Sequence, residues 1–212
     1  MKEEYWPIGA ILLFHFGRII NNYYLKWKYR QVDKEIADIN YDTYLDLREQ
    51  TFALTPTDLG VMFPTNTETA FGIIMEMHTG TAIQSIVAFS TGEVWLYNSI
   101  NPRKHVSDKE NSSLTTTALA AITAAQYHYA RMRRNNKGEL LPGHIKFHIL
   151  TNHDVYSADD PIDAFLDNSS QWEELFNNAS AIIEEWNNIS KSNPIKRVYP
   201  KFKINRTRPA NL

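Results

Sequence analysis

Three short segments, each alternating large apolar residues with smaller or polar ones, follow one another with only brief Thr-Gly breaks, and this limits the fold sharply. In Ala70–His78 the residues Phe71, Ile73, Met75 and Met77 recur at every second position, the period of a half-buried strand. Thr79-Gly80 ends that segment. Ala82–Ser90 follows, with Ile83, Val87 and Phe89 on one face and Ala82, Gln84, Ile86 and Ala88 on the other. Thr91-Gly92 turns the chain again, and Glu93–Asn98 sets Val94 and Leu96 against Trp95 and Tyr97. Turns this short join antiparallel neighbours, so the spacing predicts a three-stranded meander.

Helical patterns flank it. Tyr41, Tyr44, Leu45 and Arg48 share a face over Tyr41–Gln50, with the charged stretch Val32–Ile39 expected as a linker before it. Thr55-Pro56 opens a one-turn helix that Gly60 ends. The alanine-rich run Ser113–Asn135 carries Leu114, Ala118, Ile122, Ala125, Tyr129 and Met132 on one stripe and predicts a long helix. His144–Thr151 predicts a fourth strand with Ile145, Phe147 and Ile149 inward, and Val155–Ala158 a short fifth. Ser170-Gln171-Trp172-Glu173 has the spacing of a capping box, in which serine and glutamate each satisfy a free backbone N–H. The helix it opens stops before Pro194. The expected fold class is a two-layer α+β domain over residues 41–193, its mostly antiparallel sheet formed by the meander and one or two further strands. Hydrophobic residues at 43% and charged residues at 22% are ordinary for a globular chain and exclude wholesale disorder.

Both ends differ in character from this domain. Residues 1–40 form an apolar arm and linker, in which Ile8, Ala10, Ile11, Leu12, Leu13, Phe14, Phe16, Ile19 and Ile20 form an almost unbroken run. Glu3 and Glu4 precede it and no small-residue cleavage site follows, which argues against a secretory signal. The run falls short of the roughly 20 residues that a membrane span needs, and His15 and Arg18 interrupt it. Tyr5 and Trp6 before it, and Tyr23, Tyr24, Lys26, Trp27, Lys28 and Arg30 after it, resemble an interfacial belt. Two readings stay open: an anchor at the inner membrane, with the main domain in the cytoplasm, or a helix that docks on protein. The partners expected are therefore another protein, a second copy of the chain or an anionic membrane surface.

Residues 194–212 form a basic tail with Lys196, Arg197, Lys201, Lys203, Arg206 and Arg208, following an acidic stretch that contains Asp154, Asp159, Asp160, Asp163 and Asp167. A net charge of −2 gives no general attraction to nucleic acid, which is not expected as a partner. The absence of cysteine removes thiolate metal sites and thiol nucleophiles.

Candidate chemistry is sparse. No nucleophile elbow, phosphate loop or dinucleotide fingerprint occurs. His144 and His148 on one strand would stand about 13 Å apart, too far to share an ion, and only His148, His153 and Asp154 could converge. No metal or cofactor is expected, and no catalytic residue is assigned. The aspartates from Asp154 to Asp167 lack calcium-loop spacing and are expected in a solvated loop. Glu76 and His78 share a strand face and are expected in a solvent-facing patch beside the Thr79-Gly80 turn.

Leu47-Arg48-Glu49-Gln50-Thr51-Phe52-Ala53-Leu54-Thr55-Pro56, Met75-Glu76-Met77, Ile86-Val87-Ala88-Phe89 with Gly92 and Leu96-Tyr97, and Phe147-His148-Ile149-Leu150-Thr151 together resemble a family of uncharacterised bacterial proteins, over about residues 45–155. That resemblance implies a bacterial domain and no particular activity. The function expected is a non-catalytic interaction domain held at the inner membrane by its arm. The alternative is an enzyme or small-ligand binder that uses Glu76, His78, His148 and His153. Convergence of those four residues in one concave pocket would favour the alternative.

Overall fold

The computed structural model describes residues 34–102, 104–107, 112–135 and 137–192, so the apolar run Ile8–Ile20 and the basic tail lie outside the described residues. The fold is α+β, an antiparallel sheet packed with helices. In chain order it comprises α1 (Lys34–Ala53), β1 (Ala70–His78), β2 (Ile83–Phe89), β3 (Val94–Asn98), β4 (His105–Val106), α2 (Ser112–His128), β5 (Arg133–Arg134), β6 (His144–Thr151), β7 (Val155–Pro161), α3 (Ile162–Leu166) and α4 (Glu173–Ser192). The strands lie in the order β4-β3-β2-β1-β6-β7-β5. The meander β1-β2-β3 forms as its turns dictate. Phe71, Ile73, Val87 and Phe89 are all buried.

Every neighbouring pair of strands is antiparallel, so residues directly opposite each other point to the same face. Register therefore builds rows that run across the sheet. One row reads Tyr97, Ser85, Glu76, Lys146, Asp159 from β3 through β2, β1 and β6 to β7. The next row on that face reads Trp95, Val87, Ile74, His148, Ser157. α1 covers this face, for the Tyr44 hydroxyl reaches both Glu76 and Ser85. The opposite face carries Ile73, Met75, Phe147 and Ile149. There Phe147 meets Phe165 of α3 (6.0 Å between ring centroids), and Phe165 meets Phe176 of α4 (5.0 Å).

Helices thus lie on both faces, which corrects the two-layer expectation. It also explains why β1 is buried along almost its whole length rather than on alternate residues. A strand covered on both sides needs apolar residues at nearly every position, and Gly72, Ile74 and Ala88 meet that need on positions that alternation alone assigns to solvent.

Several boundaries also shift. α1 begins at Lys34, so the expected linker is helical from that residue on. The alanine-rich helix ends at His128 rather than Asn135. Arg133 and Arg134 instead pair with Ser157 and Tyr156 as an edge strand, because β7 offers them an open ladder. The acidic segment is not a solvated loop either, since β7 runs to Pro161 and α3 follows at once.

Two local motifs come out differently. Thr55 and Asp58 bond reciprocally: the Asp58 N–H donates to the Thr55 hydroxyl (3.4 Å), and the Asp58 carboxylate accepts from the Thr55 N–H (2.8 Å). At α4 only half of the capping box forms. The Ser170 hydroxyl accepts from the Trp172 N–H (3.1 Å), but the Ser170 N–H donates to the Ala164 carbonyl (3.0 Å) and leaves Glu173 no donor to return to. Gly92 is fixed by two demands at once. Its φ is +80°, and a Cβ there would lie 2.3 Å from Thr115 of α2, so only glycine lets the β2–β3 turn approach that helix.

Candidate functional site

Glu76 stands in the middle of an otherwise apolar strand and is 0% exposed. A carboxylate in that position must be fully bonded to stay ionised, and the face under α1 supplies the partners. Its Oε1 accepts from the Tyr44 hydroxyl (2.9 Å) and from Arg48 Nε (2.7 Å). Its Oε2 accepts from Arg48 Nη2 (3.0 Å) and from His148 Nε2 (3.0 Å). Tyr44 and Arg48 are four residues apart on α1 and so fall on one stripe aimed at Glu76. His148 reaches it diagonally from β6, since Ile74 rather than Glu76 is its direct cross-strand neighbour.

The far nitrogen of His148 meets Ser157 on β7, with 2.7 Å between Nδ1 and Oγ. A carboxylate can only accept, so Nε2 carries the proton and donates to Glu76. The neutral ring then accepts from the Ser157 hydroxyl at Nδ1. Burial pushes the imidazole pKa below its ordinary value, and the upward pull of Glu76 does not undo this. Burial alone would raise the Glu76 carboxyl. The hydrogen bonds and charge of its partners outweigh that and hold it down at about 2. Burial likewise opposes charge on Arg48, but its bond to Glu76 prevails and raises the guanidinium. Tyr44 and Tyr97 are both pushed up by burial, so their hydroxyls stay protonated.

Ser157, His148 and Glu76 have the bonding order of a hydrolytic triad. Their setting does not suit that chemistry. Ser157 and His148 are each 0% exposed, and Phe52 of α1 stands edge-on against His148 with ring centroids 4.8 Å apart. Glu76 has no lone pair to spare. The arrangement acts as a clamp that fastens α1 to the sheet. A loop adds to it: Arg48 Nη2 also donates to the Lys137 carbonyl (3.2 Å), and Lys146 Nζ to the Gly138 carbonyl (3.0 Å).

The four polar residues of the ligand-site reading do not converge. Glu76 and His148 meet, but inside the protein, which overturns the expectation that Glu76 faces solvent. His78 lies at the end of β1, where its Nδ1 accepts from the Gly80 N–H (3.0 Å). His153 is exposed in the β6–β7 turn, its Nε2 3.1 Å from the Thr65 carbonyl. Asp154 bonds to Arg134. Among the described residues no group of three or more His, Cys, Asp and Glu side chains could hold a metal. Among the described residues, too, no helix is long and apolar enough to cross a membrane.

The sequence held one usable sign of the clamp. Glu76 sits between Met75 and Met77, and His148 between Phe147 and Ile149. A lone polar residue inside so apolar a strand calls for a buried partner. A cleft of about 280 Å³ lies beside the clamp, between the end of α1 and the β6–β7 turn, with Phe52, Phe71, Leu150, Lys137 and His153 in its wall. No family model, no curated protein and no solved structure matches this chain.

Proposed function

We propose that this chain is a non-catalytic interaction domain of a bacterial cell, which meets its partner through the apolar segment preceding α1. The observation that supports this reading is the sealing of Ser157–His148–Glu76, the set with the geometry for acid–base work. All three side chains are 0% exposed, and their bonding capacity goes to holding α1 on the sheet. The segment is too apolar for a free polar tail, and a protein partner or a second copy of the chain fits its Ile8, Leu12, Phe16 and Ile19 stripe.

Charge substitution within that stripe tests the reading in the full-length protein. Leu12→Asp with Phe16→Asp should abolish capture of the partner from bacterial lysate, or convert an oligomer to a monomer on size-exclusion chromatography. Unchanged capture and unchanged size would defeat it. Co-sedimentation of the wild type with anionic vesicles alone, without protein capture, would assign the segment to a membrane surface instead.

A further inference from the structure

The cleft beside the clamp has features that the interaction reading does not use. Phe71, Leu150 and Val155 are buried in its wall, and Phe52 stands at its edge. Asn135, with a φ of 58°, and Lys137 line the cleft, and Lys137 lies over the Phe52 ring with Nζ 5.5 Å from the centroid. That ammonium has no carboxylate partner among the described residues. The one acidic side chain in the wall, Asp154, is neutralised by Arg134. Among the described residues the mouth therefore has a positive charge with no carboxylate partner next to an aromatic ring, and the part-exposed Leu54 and Pro56 supply apolar wall beside it.

We propose that this cleft binds a small organic anion, a carboxylate carried on a flat apolar body. The body lies along Phe52, Leu54 and Pro56, and the carboxylate pairs with Lys137. At about 280 Å³ the cleft is at the small end of ligand pockets, which begin near roughly 300 Å³, so the ligand is of fragment size. Charge selects its sign: an amine of the same shape meets Lys137 as a like charge, and an amide forgoes the ion pair. The cleft uses no residue of the apolar N-terminal segment, so failure of either proposal leaves the other standing.

The test is a titration of the isotopically labelled full-length chain with 3-phenylpropanoate, its primary amide and 3-phenylpropylamine, followed by backbone amide shifts. The acid should bind most tightly and the amine least, with shifts centred on Lys137 and on Leu150–Val155. Lys137→Gln should weaken the acid by about fivefold, the worth of one exposed ion pair, and bring it level with the amide. Lys137→Arg should restore the preference. The Lys137 side chain is exposed, so neither change threatens the fold. Equal binding of the three probes, no binding of the acid, or an acid preference that survives Lys137→Gln would overturn the proposal.

Discussion

The two faces of the sheet are covered by helices in different ways. On one, a charged and hydrogen-bonded set (Tyr44 and Arg48 on Glu76, with His148 and Ser157 behind) is embedded among the buried apolar side chains Ile74, Val87, Phe89 and Trp95 and holds α1. On the other, the contacts are apolar: Phe147 of the sheet meets Phe165 of α3, Phe165 meets Phe176 of α4, and α4 packs along α2. Apolar burial is non-directional and tolerates small shifts of a helix along the sheet. A buried carboxylate with every lone pair occupied does not, because displacement leaves charge unsatisfied in a medium that cannot solvate it. Both faces supply apolar burial, while the Glu76 set, found on the α1 face alone, fixes where α1 sits and makes that seat depend on pH.

The largest expected effect follows from breaking the charged pair. Arg48→Ala leaves Glu76 buried without its cation and should cost about 3–5 kcal/mol in urea unfolding at neutral pH. The cost should shrink near pH 5, where an unpaired buried carboxyl takes up a proton. A loss below about 1 kcal/mol would mean that the pair behaves like an exposed one.

His148 should govern the next effect. Its folded pKa lies below 6.5, so its contribution is complete above that value and is lost as pH falls through the lower folded one. The depressed Glu76 contributes above 4.5, and its share is lost as pH falls towards about 2. Stability should therefore decline from just below pH 6.5 and again below 4.5. His148→Gln, which keeps a donor for Glu76 but does not titrate, should flatten only the upper part of that curve. An unaltered curve would remove His148 from the account.

The apolar face should respond differently. Ile149→Val should cost about 1 kcal/mol, and the same at pH 5 as at pH 7. A pH-dependent cost would show that the two faces are not separable.

At the edge of that face, Ser170→Ala should lose about 1 kcal/mol through its helix cap, read as a lower melting midpoint. The same change removes the bond from the Ser170 hydroxyl to Asp160 (2.7 Å). An unchanged midpoint would mean that the hydroxyl does not cap α4.

What the sequence disclosed divides by range along the chain. The meander, β6 and the burial of Phe71, Ile73, Val87 and Phe89 rest on local alternation and on turns such as Thr79-Gly80 and Thr91-Gly92, where Gly80 and Gly92 adopt positive φ. Those signals lie within a few residues of one another. The clamp does not. Arg48 and His148 are 28 and 72 residues from Glu76 in the chain, and no spacing rule links them. Glu76 and His78 share a strand face, and that proximity pointed to a surface patch. The tie-breaker was tertiary: α1 covers the Glu76 position but not the strand end at His78. The same helix hid the double burial of β1, since alternation alone implies one wet face. The cleft was equally illegible, because its wall joins residues from the end of α1, β1, the segment after β5 and the β6–β7 turn.

Native-state hydrogen exchange in Glu76→Gln tests the central claim most directly, namely that an ionised Glu76 seats α1 on the sheet. A neutral amide of the same shape cannot accept the two Arg48 bonds and the Tyr44 bond as a carboxylate does. Amides of α1 from Tyr44 to Ala53 should lose protection by a large factor, while those of α2 and α4 keep theirs under the same conditions. Equal loss in all three helices, or undiminished protection of α1, would contradict the account.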